Sequence, residues 1–199
     1  MLFGESEGGP DLLLIERSAT LRSHAGQPAF PGGALDPSDD GPVAAALREA
    51  GEETGLDPAG VDVLATLPAL AVPPSGYVTV PVLAWWREPT AVAPVDPDEV
   101  AAVVRVPLAE LVEPVNRVVV RHPSGHLGPA FEVGGLLVWG FTAGLIDRLL
   151  ALGGWERPWR PAPVRKLPSA VRRSAARPAG PVAPTPPGST ADLIEDDLV

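Results

Sequence analysis

The sequence predicts an α/β domain, a mixed β-sheet flanked by helices, followed by a tail that packs little. Three observations carry this reading. Short runs rich in Val, Leu and Ile alternate with Gly- and Pro-bearing breaks in the order strand, strand, helix, strands, helix. The stretch 39–55 has the marks of a helix at both ends. Beyond Gly154 the composition turns to Arg, Pro and Ala. At 199 residues and 45% hydrophobic, the chain is long enough for one domain with a sizeable core. We assign residues 1–160 to that domain and 161–199 to the tail.

Charge and composition narrow the function. A net charge of −10 argues against general nucleic-acid binding, which needs basic surface. An anionic substrate would have to be met locally, by a metal and a few arginines. The chain has no cysteine, so it has neither disulfides nor a thiol nucleophile, in keeping with a cytoplasmic location. The N-terminal residues are acidic and do not read as a signal peptide. The apolar stretch from Leu136 to Ile146 is too short to span a bilayer, so no membrane partner is expected.

In chain order, Met1-Leu2-Phe3 and Asp11 to Ile15 read as a hairpin around a turn from Gly4 to Pro10. A strand opening at the first residue suggests that Met1 is internal to a longer protein, or that its start was assigned late. Arg17, Arg22 and His24 follow, as a cluster able to bind phosphates or as ordinary loop charges. Phe30-Pro31-Gly32-Gly33 then turns the chain toward the helix.

Asp39 and Asp40 are expected to cap that helix, Pro42 suits its first turn, and Gly55 suits its C-terminal cap. On a helical wheel Val43, Ala46, Leu47, Ala50 and Thr54 share one side. Glu49 and Glu53 lie one turn apart on another, with Glu52 beside them and Arg48 spaced to pair with Glu52. Carboxylates so close repel one another. A hard divalent cation, Mg²⁺ or Mn²⁺, would relieve them; a solvated acidic helix face is the plainer alternative.

After the helix, 61–70 and 77–86 read as strands broken by Pro73-Pro74-Ser75-Gly76, with Pro81 confined to a bulge or edge. Trp85 and Trp86 are expected to pack a sheet face. Asp96 to Val100 leads into a strand at 103–108, whereas 113–130 shows no clear element. His122 and His126 have no Cys or His partner at zinc spacing and read as a turn. A strand at 131–138 and a helix from about Trp139 to Leu152 close the domain. From about residue 162 the tail, basic and then acidic, is expected to be disordered.

The glycine turn and helix together resemble the Nudix box, whose pattern is Gly, five residues, Glu, seven residues, then Arg-Glu-apolar-x-Glu-Glu-x-Gly-apolar. Here Gly33 is followed by five residues and Asp39, then eight residues before Arg48-Glu49-Ala50-Gly51-Glu52-Glu53-Thr54-Gly55-Leu56. The Asp and the longer gap both resemble the coenzyme A pyrophosphatase branch. So does the segment Leu13-Leu14-Ile15-Glu16-Arg17-Ser18-Ala19-Thr20-Leu21-Arg22-Ser23-His24-Ala25-Gly26-Gln27. Ser75 to Val82 and Trp139-Gly140-Phe141-Thr142-Ala143 are similar to further elements of that branch.

The resemblance implies a Nudix-type α/β/α sandwich with a mixed β-sheet and a metal-dependent diphosphatase. Glu49, Glu52 and Glu53 would hold Mg²⁺ or Mn²⁺, and Arg48 would orient them. Gly32 and Gly33 would let the backbone approach metal or phosphate. Arg17, Arg22 and His24 would contact substrate, Glu99 would add a ligand, and the general base would be Glu99 or one of the helix glutamates. Coenzyme A or a derivative would be cleaved to 3′,5′-ADP and 4′-phosphopantetheine. The rivals are ADP-ribose or a dinucleotide as substrate, and a non-catalytic nucleotide-binding regulator.

Overall fold

The computed structural model describes residues 1–72, 76–122, 124–159 and 164–167. Its centre is β2 (Gly9–Arg17), whose Leu12 to Ile15 are all buried. A strand covered on both faces needs an unbroken apolar run, and Leu12-Leu13-Leu14-Ile15 supplies one. β1 (Leu2–Ser6) pairs with β2 antiparallel. The turn is tighter than expected: only Glu7 and Gly8 lie between the strands, and Gly9 takes a φ of 89°.

β3 (Pro28–Ala29) and β8 (Val100–Pro107) also pair with β2, both antiparallel. β7 (Val82–Trp86) runs parallel to β1, and β4 (Val61–Thr66) closes the sheet antiparallel to β7. The sheet is therefore mixed, with the order β3-β2-β1-β7-β4 and β8 on β2.

The expected strand at 61–70 is two strands, β4 and β5 (Leu70–Val72), and β5 pairs with β6 (Tyr77–Thr79) in a separate hairpin. Pro68 lies in the interruption, and the Leu67 N–H donates to the Pro81 carbonyl instead of continuing the ladder. Pro81 itself falls between β6 and β7, free of any ladder requirement.

A second sheet contains β9 (Arg117–Arg121), β10 (Leu127–Val133) and β11 (Leu136–Val138) in antiparallel order. β9 was not anticipated, and 131–138 is not one strand. Gly134 and Gly135, at φ 57° and 76°, form a two-residue turn that folds β11 back on β10. Three residues of the expected disordered tail, β12 (Val164–Lys166), run parallel to β9, and Leu167 is buried beside them. The remainder of the tail, like Pro73-Pro74-Ser75, lies outside the described residues.

Helices α2 (Leu108–Val112) and α3 (Gly140–Leu152) fill the space between the two sheets. Leu12, Leu14 and Val106 there meet Phe131, Val133, Leu111, Ile146 and Leu150. Helix α1 (Gly41–Thr54) covers the opposite face, where Ala50 and Leu56 pack with Leu13, Ala84 and Trp86. Trp86 thus packs the sheet as expected, under the Arg105 guanidinium at 5.0 Å. The buried side of α1 differs from the wheel: Ala45, Ala50, Glu53 and Thr54 are buried, while Val43, Ala46 and Leu47 are half-buried. The helix is rotated so that a glutamate faces inward.

Candidate active site

The inward glutamate is Glu53, only 3% exposed. Such a burial is costly unless the carboxylate is hydrogen-bonded and paired. Two partners are present. The Gly32 N–H donates to Glu53 Oε2 at 2.9 Å, and Arg17 Nη1, at the end of β2, lies 3.9 Å from Glu53 Oε1. Gly32 has a φ of 149°, a conformation L side chains rarely adopt, and it aims its N–H at the helix.

Gly33 is required for a different reason. A Cβ there would stand 2.3 Å from the Glu49 carboxylate. The glycine turn and the helix are thus in direct contact, Gly32 with Glu53 and Gly33 with Glu49.

Arg48 holds the outer side of the helix. Its guanidinium donates to both carboxylate oxygens of Asp39, Nε at 3.0 Å and Nη2 at 2.9 Å. It also reaches the Ala34 carbonyl at 3.1 Å, Glu52 at 2.8 Å and Glu49 at 3.2 Å. The expected Arg48–Glu52 pair is present. Asp39, however, is not a helix cap, because its carboxylate is taken by Arg48 and by the Asp36 N–H, 2.8 Å away. Asp40 occupies the cap position without a side-chain bond. The bidentate bond holds the Asp39 carboxyl below the usual range and pushes the Arg48 guanidinium up.

The three glutamates do not converge. Glu52 is 60% exposed on its side chain and turned toward Arg48. Among the described residues no group of three carboxylate or imidazole side chains stands ready as a metal cage. The physical reason is the helix itself: positions 49 and 53 share a face one turn apart, and 52 lies to the side, where Arg48 captures it.

Burial pushes the Glu53 carboxyl up from 4.5 to about 7. The Gly32 N–H and Arg17 pull it down, and Glu49 and Glu99 push it up. Glu99 is therefore close enough to be felt at Glu53. It is exposed, immediately before β8, and its carbonyl accepts the Ser18 N–H at 2.8 Å. Arg22 and His24 belong to the loop between β2 and β3 and are both exposed. His24 has a φ of 56°, and its Nδ1 is 3.1 Å from Gln27 Oε1. The structure thus brings Arg17, Gly32, Gly33, Glu49, Glu53 and Glu99 to one place, with Arg48 behind them, and leaves Arg22, His24 and Glu52 at the exterior.

The donor set fits a hard divalent cation. Carboxylate oxygens of Glu49 and Glu53 face a backbone turn, and such oxygen donors are the kind Mg²⁺ or Mn²⁺ takes. Sequence reading missed the Asp39–Arg48 clamp and the bond from Gly32 to Glu53. The glycine pair and the fixed distance from Gly33 to Arg48 were the only signals for either.

Fold and site define an α/β protein whose carboxylate helix is buttressed by a glycine turn. The family model described as the NUDIX domain matches residues 2–124. The uncharacterized Nudix hydrolase NudL of Cronobacter sakazakii is 43% identical over 154 residues, covering 75% of this chain and 78% of that protein. NudL of Escherichia coli K12 is 40% identical over 145 residues, covering 70% and 73%. A solved Nudix hydrolase from M. smegmatis, RenU, aligns over 80% of this chain and 86% of its own, with a TM-score of 0.55 and 21% identity; it speaks for the fold alone. The chain belongs to the Nudix family. It is accordingly a hydrolase acting on diphosphate bonds of nucleoside-diphosphate-linked substrates, a class that generally uses divalent metals such as Mg²⁺ or Mn²⁺.

Proposed function

We propose that this enzyme cleaves the diphosphate of coenzyme A or a coenzyme A derivative, giving 3′,5′-ADP and 4′-phosphopantetheine or its acylated form. One observation supports the reading above the others. Arg17, from the upstream segment that resembles the coenzyme A pyrophosphatase branch, lies against Glu53 of the Nudix helix. The specificity segment and the catalytic helix then serve one site.

In this reading Glu49 and Glu53 would hold Mg²⁺ or Mn²⁺, with Glu52 as the further candidate ligand on the same helix. When bound, the ion neutralises phosphate charge and lowers the pKa of a water. Gly32 keeps Glu53 oriented through its N–H, and Gly33 keeps room for Glu49. Arg48 and Asp39 fix the helix glutamates from behind. Arg17 donates to a phosphate oxygen, with Arg22 and His24 reaching the substrate from the β2–β3 loop. Glu99 stands by as an additional ligand or the general base.

The test is hydrolysis of coenzyme A, acetyl-CoA, ADP-ribose and NADH with Mg²⁺ or Mn²⁺, products being resolved by chromatography. Release of 3′,5′-ADP from the two coenzyme A compounds above the others supports the proposal. Preferential hydrolysis of ADP-ribose or NADH rejects the substrate assignment, and silence on all four favours a nucleotide-binding regulator.

A further inference from the structure

Gln27 has no part in the site as described so far, yet it organises the loop that carries Arg22 and His24. Its carbonyl accepts the Arg17 N–H at 3.0 Å, and its own N–H donates to the His24 carbonyl at 3.2 Å. Its side-chain Oε1 meets His24 Nδ1 at 3.1 Å. The Gly26 N–H also donates to the Arg17 carbonyl, at 3.0 Å, so Gly26 and Gln27 together face Arg17. With Gly26 at φ 64°, this is a β-bulge of the kind that re-aims a side chain.

The consequence is placement. Along β2, Leu13 packs against Ala50 of α1 and Leu56 just beyond its end, and Arg17, four residues on, meets Glu53 of the same helix. Residues two apart on a strand share a face, and residues opposite one another across antiparallel strands share it too. Gln27 is therefore held opposite Arg17, at the end of β2 where Arg17 meets Glu53.

Two donors there have no acceptor. Gln27 Nε2 and Arg17 Nε are both buried and both lack a hydrogen-bond partner. They are two of six buried side-chain polar atoms without a hydrogen-bond partner among the described residues, and these two lie at the end of β2 where Arg17 meets Glu53. A buried donor left unsatisfied is costly, and a ligand oxygen would remove that cost. Both groups donate, so what completes them is an acceptor. The bond from Oε1 to His24 Nδ1–H fixes the amide with its Nε2 turned inward.

We infer that Gln27 contacts substrate, its side-chain amide donating with Arg17 to an oxygen of the diphosphate while its carbonyl oxygen holds His24. The inference rests on the family reading of a diphosphate hydrolase and not on which molecule carries the diphosphate. Gln27 thus does two separable things, and two substitutions separate them. Gln27→Leu removes both. Gln27→Glu keeps an acceptor for His24 Nδ1–H but sets an anion where the donor was.

The experiment measures binding of methylenebisphosphonate, a non-hydrolysable diphosphate, by calorimetry with Mg²⁺, and steady-state kinetics on whichever panel substrate the wild type cleaves. Wild-type affinity should fall about tenfold in Gln27→Leu, the scale of one lost hydrogen bond, and further in Gln27→Glu. KM should rise in the same order, with kcat changed less than about threefold. NMR of the His24 imidazole should show Nδ1–H retained in Gln27→Glu. Should Gln27→Leu fail to fold, Gln27→Glu against wild type decides alone. Binding by Gln27→Glu that equals wild type, or that is as tight as in Gln27→Leu, would mean a loop staple only and overturn the inference. Failure of the coenzyme A reading would show separately, in the wild-type panel.

Discussion

Replacing Glu53 by Gln tests the electrostatics of the site without its chemistry. Glu53 is 3% exposed, and burial pushes its carboxyl up from the ordinary 4.5 to about 7. A carboxyl raised in this way contributes stability that is whole below about pH 4.5. That stability is lost as pH rises toward 7, because the unfolded chain releases its proton first. At 1.36 kcal/mol per pH unit the window amounts to at most about 3 kcal/mol, nearer 2 once water at the carboxylate edge is allowed for. Gln keeps an oxygen for the Gly32 N–H and does not titrate. Urea unfolding in EDTA at pH 4.5 and pH 8 should therefore show the variant gaining about 2 kcal/mol on the wild type between the two. Comparing the two proteins cancels other groups, such as Asp36 and Asp39, whose lowered pKa values act in the opposite sense. Parallel changes, within about 0.5 kcal/mol, would refute the burial argument. Saturating Mn²⁺ at pH 8 should stabilise the wild type and not the variant, by the linkage of ligand to folding.

Other substitutions follow from the same geometry. Gly33→Ala should fold, since the obstructing atoms end a flexible side chain, but Glu49 must move; metal affinity by calorimetry should fall at least about tenfold. Asp39→Asn should lower the midpoint of chemical unfolding and lower kcat about tenfold, because Arg48 loses its bidentate partner. Arg117→Met should act on stability alone. That buried guanidinium lies over Phe131 and Trp159 and pairs with Asp147 and Glu156, whose carboxylates stay partly solvated. Thermal unfolding should register a loss of about 2 kcal/mol with KM unchanged.

The fold was legible where local chemistry dictates local structure. Asp11 to Ile15 reads as a strand and is one, with Leu12 to Ile15 buried on both faces, and Pro42 and Gly55 bracket a helix whose observed ends are Gly41 and Thr54. It was illegible where a single glycine pair or a distant partner decides. Gly134-Gly135 divides an apolar run that otherwise reads as one strand. β12 exists because β9 offers an edge to a segment with little core of its own. In the site, residue types and spacing announced the carboxylates, but not their directions. A helical wheel puts Glu52 beside Glu49 and Glu53; it does not show that Arg48 holds Glu52 at the surface, or that the Gly32 N–H and Arg17 meet a buried Glu53.

Glu53, held by Gly32 and Arg17, is proposed to serve diphosphate hydrolysis of a coenzyme A compound. A time course of 3′,5′-ADP release from coenzyme A with Mg²⁺ or Mn²⁺, run side by side on wild type and Glu53→Gln, addresses it directly. Steady release by the wild type is expected, with a loss of at least about a hundredfold in the variant and its cooperative unfolding intact. A folded Glu53→Gln enzyme that keeps the wild-type rate would contradict this role.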